Sequence, residues 1–219
     1  IEIRRRELTS AVSRARERAK AIDLEIAAAG GPKLARLQQQ IETLRKTATI
    51  AKDPAFGYHS AIANSPNTVK WVQIDLGREV LISRIVLRPC HDDFAGIGAG
   101  FGFPVRFRVD IATSESGFEE ADAAAQSTAH CVGDFTEKDV SNPGLTPKEI
   151  VDVDSVARFV RVTATSLATR SNDYIFALAE LEVGDADGRN VSAGASVRSL
   201  DSIEAPVRWS RQNLTDGVW

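Results

Sequence analysis

The 219-residue chain contains no methionine, two cysteines, three histidines and two tyrosines. Each scarcity excludes something. Cys90 and Cys131 are too few for a disulfide scaffold, and neither sits in a Cys-x-x-Cys or other metal-ligand spacing. They read as lone thiols, with a pairing left open should the fold bring them together. There is no Gly-x-Ser-x-Gly elbow and no His-Glu-x-x-His pair, so hydrolase and zinc-protease machinery are missing. Carboxylates abound, but strands and loops alone do not set two of them across a glycosidic bond. The sequence does not argue for an enzyme. No apolar run approaches a membrane span. No basic stripe studded with aromatics is present, and a net charge of -3 is close to balanced, so nothing points to nucleic acid. The chain opens on Ile1 and shows no signal peptide. The lack of Met is expected of a segment of a longer protein, for which a missing address tells nothing.

What is present is a hydrophobic content of 43%, enough for a sizeable core, and a length that allows one domain and an appendage. Residues 1 to about 50 carry a helical pattern. Leu8, Val12, Ala15, Ala19, Ile22 and Ile26 step by four and three, a heptad seam flanked by charge. Gly30-Gly31-Pro32 breaks it, and Leu34, Leu37, Ile41 and Leu44 resume it. This predicts an antiparallel coiled-coil hairpin over 1–50, its first arm roughly 40 Å long at about 1.5 Å per residue. So narrow a seam wants further helices, from neighbouring domains of the parent chain or a second copy.

From Ala51 onward the period changes to two. In Lys70-Trp71-Val72-Gln73-Ile74-Asp75-Leu76-Gly77, Val72, Ile74 and Leu76 alternate with Trp71, Gln73 and Asp75. Trp71 is expected to pack in the core and Asp75 to tie down loop amides. A second strand, Leu81 to Leu87, is expected after a short connection. Val105 to Ile111 alternates as a third. Residues 113 to 148 read as surface loops around one or two short strands, and Arg158 to Thr163 and Ile175 to Val183 complete the set.

Trp-Val-Gln-Ile-Asp-Leu-Gly resembles the signature strand of discoidin domains, also called coagulation-factor type C or galactose-binding-like domains. Ala157-Arg158-Phe159-Val160-Arg161-Val162 and Ala177-Leu178-Ala179-Glu180-Leu181-Glu182-Val183 resemble that family's last core strands, in the expected order. The resemblance implies a mainly β, discoidin-like jelly-roll β-sandwich over 51–219. Asn190-Val191-Ser192-Ala193-Gly194 and Asn213-Leu214-Thr215-Asp216-Gly217 resemble the opening of such a domain, yet come last. Either a second domain begins there, or the fold is circularly permuted and the tail supplies the first strand. Adjacent termini make permutation the favoured reading. Asn190-Val191-Ser192 and Asn213-Leu214-Thr215 also fit the glycosylation pattern, which matters only in a eukaryotic secretory host.

The resemblance further implies a non-catalytic carbohydrate-binding module of a larger secreted or periplasmic protein. The alternative is an architectural domain that spaces or assembles its neighbours. A saccharide site needs flat rings for C–H faces and polar groups for hydroxyls. Tyr58 and His59, His91 in the loop His91 to Phe94, and Arg170, Asn172 and Tyr174 could supply them. Carbohydrate modules of the resembled kind often hold a structural calcium. The matching positions are Glu180, Asp216 and loop carbonyls near Asn213, hard oxygens of the kind calcium takes. His91-Asp92-Asp93 is dense in polar groups, but adjacent residues rarely reach one transition metal together. The glycines from Gly96 to Gly102 miss the dinucleotide spacing and run into a strand, so they read as bends and not as a phosphate cradle.

Overall fold

The computed structural model describes residues 53–118 and 128–219. The hairpin expected over 1–50 lies outside the described residues. In chain order the strands are β1 (Tyr58–His59), β2 (Lys70–Arg88), β3 (Cys90–Asp92), β4 (Gly98–Phe101), β5 (Arg106–Ala112), β6 (His130–Phe135) and β7 (Lys148–Ile150). There follow β8 (Ser155–Ser166), β9 (Ala168–Thr169), β10 (Tyr174–Ile175), β11 (Ala177–Leu178), β12 (Glu180–Asp185) and β13 (Ser196–Ser199). Short 3-10 turns occupy Phe94–Gly96, Glu115–Phe118 and Arg211–Thr215. The strand pairings are antiparallel, and seven strands join one curled sheet.

β2 organises that sheet. Its first half lies between β13 and β8, with Ile74 opposite both Val197 and Val160. Its second half lies between β12 and β7, with Ile85 opposite Val183 and Ile150. The two strands expected over 70–76 and 81–87 are therefore one, corrected from a strand–turn–strand reading. Gly77 is not a hairpin turn. Its positive φ of 75° instead bends the strand where the pairing to β8 breaks between Asp75 and Val80, a bulge that turns the chain from one limb of the sheet to the other. The single strand expected over 175–183 is divided the other way, into the end of β10, β11 and most of β12.

The core fills the space inside the curl. Val72, Ile74, Phe107, Val109, Val160 and Val162 meet Ile85, Leu87, Ile150, Leu181 and Val183 in one buried cluster. Full burial of such a side chain stabilises by about 1.5–3 kcal/mol. Because alternation gives this face to Val72 and Ile74, Trp71 falls on the other. Its expected place in the core is corrected: the Arg161 guanidinium lies 4.3 Å from the Trp71 ring centroid. Arg161 also donates from Nε and Nη2 to Gln73 Oε1 at 2.9 and 2.7 Å. Asp75 accepts the Gly77 amide at 2.8 Å and both Nε and Nη2 of Arg158 at 2.7 and 2.8 Å. That pair of hydrogen bonds holds its carboxyl below the usual range.

The tail is stitched into the same body. Val197 is buried against the main core. Asp201 Oδ1 accepts the Ala61 amide at 2.8 Å and its carboxylate pairs with Lys70. A second, smaller cluster of Cys90, Phe101, Ile175, Ala177, Ala179 and Trp209 caps one end, with Phe56, Ile97 and Ile203 against it. Cys90 is buried there, Cys131 lies on β6, and the two form no disulfide. No helix among the described residues is long and apolar enough to cross a membrane.

Candidate functional site

The smaller cluster is the floor of the candidate site. Trp209, brought in by the tail, stands edge-on to Phe56 with centroids 4.9 Å apart, edge-on to His59 at 5.1 Å, and stacked on Phe101 at 5.8 Å. The glycine-rich stretch lets β4 reach this floor. Gly100 and Gly102 both have positive φ, and a Cβ at Gly100 would stand 1.7 Å from Asn142 Oδ1. The glycines are bends, with no phosphate cradle to explain.

Two residues offered by the sequence for ligand contact belong to the interior. Tyr58 is wholly buried on β1, edge-on to Phe176 at 5.5 Å, and its hydroxyl donates to the Asp201 carbonyl at 3.2 Å. Burial pushes its pKa up. His59 is 2% exposed. Its Nδ1 lies 2.6 Å from the Ser60 carbonyl, an acceptor only, so this nitrogen carries the proton. Burial pushes its pKa down. Neither presents a ring face to solvent, because β1 pairs with β11 and its side chains are covered by Phe176 on one side and Trp209 on the other.

The rim carries the rest. Asp92 is buried; its Oδ1 accepts the Phe94 amide at 3.0 Å and its Oδ2 pairs with Arg208 Nη2 at 2.7 Å. The Arg208 guanidinium in turn lies 4.2 Å from the Phe56 centroid. Asp92 is thus a loop anchor, and no group of three or more His, Cys, Asp or Glu that could hold a metal occurs among the described residues. His91 is half-exposed, its Nε2 3.1 Å from Asp93 Oδ1. Phe94 presents its ring at the surface, 48% exposed. The Arg170 guanidinium lies 4.7 Å from that ring's centroid and is held by Asp173 through Nε at 2.9 Å and Nη2 at 2.7 Å. This fork holds the Asp173 carboxyl below the usual range. Asn172 sits exposed at the tip of the turn that the Arg170 amide closes on the Asp173 carbonyl at 2.8 Å. Tyr174 is half-buried against the main core, its backbone paired with Ala63 and Thr169.

Of the six sequence candidates, Arg170 meets the Phe94 ring, His91 precedes that ring in the same loop, and Asn172 tops Arg170's turn. Tyr58 and His59 lie beneath. Sequence reasoning passed over Phe94 itself, the aromatic of the His91 to Phe94 loop, although a large ring beside Asp-Asp and a glycine bend is the available signal. It also passed over Trp219. That residue is 53% exposed, with the Arg88 guanidinium 3.1 Å from its ring centroid. Arg88 pairs with buried Glu182. Beside them opens a cleft of about 320 Å³ between Pro54-Ala55, Arg88-Pro89, His91, Leu145, Pro147 and Trp219, at the small end of the range of ligand pockets, about 300–1,000 Å³.

The residues matched to a calcium site approach one another. Glu180 is fully buried at the start of β12, and its Oε1 accepts the Gly217 amide at 2.9 Å. Asp216 Oδ1 accepts the Val218 amide at 2.9 Å, while Asn213 Nδ2 donates to the Val207 carbonyl at 3.0 Å. Two carboxylates and a turn rich in carbonyls are hard-oxygen donors of the right chemistry. Asn213 spends its amide within the tail, so the turn's backbone would supply the remaining oxygens.

No protein-family model and no curated protein matches the chain. Among solved structures, the chain is similar to chitosan-binding module 1 of a chitosanase/glucanase from Paenibacillus sp. IK-5, with 17% identity over 56% of this chain and 73% of that one and a TM-score of 0.37. It is similar to the lectin domain of lectinolysin complexed with Lewis B antigen, with 20% identity over 54% and 67% of the two chains and a TM-score of 0.35. The family 32 carbohydrate-binding module of C. perfringens NanJ in complex with galactose is similar at 17% identity over 57% and 81%, TM-score 0.35.

Proposed function

We propose that residues 51–219 form a discoidin-like jelly-roll sandwich that acts as a non-catalytic carbohydrate-binding module of a larger secreted or periplasmic protein. The segment 1–50, whose heptad pattern predicts a hairpin, would meet neighbouring domains of that protein. The observation that carries this reading is the Phe94 rim. A half-exposed ring lies against an arginine locked by Asp173, with His91 and Asp93 in the ring's own loop and Asn172 in the arginine's turn. A ring for the C–H face of a sugar and fixed donors for its hydroxyls are what saccharide recognition requires. Single sugars at so shallow a site bind weakly, near millimolar, or about -4 kcal/mol. Titration calorimetry with galactose, fucose and short oligosaccharides tests it. Phe94→Ala should weaken binding about tenfold, roughly the share of one stacking ring. Equal affinity in both proteins, or no heat with any saccharide, overturns the reading.

Calcium belongs to the same proposal, as a structural ion between Glu180, Asp216 and the carbonyls near Asn213. It would cross-link β12 to the tail turn. The architectural reading has one observation of its own. Leu81 and Val156 stand opposite each other, 46% and 52% exposed, and Val151 is 58% exposed. An apolar pair on a strand surface fits contact with a neighbouring domain. In that case no saccharide signal appears, and Leu81→Lys disrupts assembly of the parent protein.

A further inference from the structure

We infer that the cleft beside Trp219 is a second subsite, which makes the ligand an extended oligosaccharide with an acidic unit, a uronic acid, held by Arg88. The inference rests on the carbohydrate-binding reading and adds the class of sugar. Continuity comes first. His91 lines the cleft, and Phe94 is three residues on in the same loop. Three residues of fully extended chain span at most about 10 Å, so the two subsites lie within reach of one short oligosaccharide. Each subsite also has its own ring. Arg88 lies against one face of Trp219, and in the 219-residue chain the residue is 53% exposed, ring surface on which a sugar can stack.

The charge of the cleft sets the sugar class. Its lining side chains include Arg88 and His91 and no Asp or Glu. Glu182 is turned to Arg88 Nε and its side chain is only 8% exposed, so it does not face a ligand. Among the described residues no protein acceptor takes either Nη group of Arg88. A guanidinium with its outer nitrogens available is a planar fork for a carboxylate. A cationic amino sugar would meet Arg88 with no Asp or Glu side chain in the lining to pair with. A uronate would meet two paired donors, with the Trp219 ring beside them for the neighbouring unit.

The test is calorimetry on the 219-residue chain with a uronic-acid tetrasaccharide, a neutral tetrasaccharide of the same length, a glucosamine tetrasaccharide, and the monosaccharides. The uronate tetrasaccharide should bind more tightly than its monosaccharide by at least about tenfold, one further stacked ring and ion pair. Trp219→Ala should remove that length gain, and Arg88→Gln the preference for uronate over neutral sugar. Because Arg88→Gln leaves Glu182 without its partner, Arg88→Lys serves as the second variant. It keeps the charge beside Glu182 but loses the fork, and the preference should fall there too, with the thermal midpoint as the check on folding. Saccharides that bind through Phe94 with no length gain, or with glucosamine preferred, overturn the second subsite and leave the module standing. No binding by any saccharide overturns both.

Discussion

His59 shows what a histidine in a capping cluster does to pH dependence. Its pKa is lowered because burial disfavours the charged form. In the unfolded chain it takes up a proton as pH falls through about 6.5, while the folded state resists. The unfolded state then binds more protons, so stability is lost as pH falls below about 6.5 toward the folded pKa, at most about 1.4 kcal/mol per pH unit. Asp75 and Asp173 act in a lower window, since their carboxyls are held below the usual range and their contribution disappears only in acid. Urea unfolding at stepped pH should show the first loss as pH falls below about 6.5, and His59→Gln should flatten it. A wild-type slope unchanged by that substitution would assign the loss elsewhere. Residue type in sequence could name His59 but not its burial. The pairing of Tyr58 and His59 with Leu178 and Ala177 is a contact more than a hundred residues distant, and it decides that both face inward.

Among the elements, β2 is where sequence and structure part. Alternation identified both halves of β2, because a period of two survives in Val72, Ile74, Ile85 and Leu87. It could not show that Gly77 bends one strand, since a glycine with positive φ serves a hairpin and a bulge alike. Trp71 was legible as facing away from Val72, and its guanidinium partner Arg161 was not, being ninety residues on. By resemblance the tail was expected to supply a first strand; β13 of the tail lies against β2 with Val197 opposite Ile74. Deleting residues 188–219 exposes that edge, removes Trp209 from the floor and strips Lys70 of Asp201. Cooperative unfolding should be lost, as followed by near-ultraviolet circular dichroism. A truncated chain that melts as sharply as the full one would show the tail to be dispensable. A milder version is Val197→Asp, which buries an unpaired charge and should lower stability by several kcal/mol, about 3 or more.

At a larger scale, two surfaces of residues 53–219 differ in kind. One gathers rings and arginines from the 91–94 loop, the 170–173 turn and the tail; the Leu81–Val156 pair lies seven residues back along β2 from Arg88. Structural calcium would fasten the tail to β12 near Glu180. At about a hundredfold excess over its dissociation constant it would add roughly 2.7 kcal/mol. Thermal melts with calcium and with chelator, repeated on Asp216→Ala, check this. The midpoint should rise with calcium in the unmutated protein alone, and equal midpoints rule the site out.

The saccharide site itself is tested most directly by chemical-shift mapping on the labelled 219-residue chain during titration with neutral and uronic oligosaccharides. Shifts should cluster at residues 91–94 and 170–173, extend to Arg88 and Trp219 with longer ligands, and weaken in Phe94→Ala. Shifts confined to the outer sheet face around Trp71 and Arg161, or to the Leu81–Val156 pair, would contradict the account.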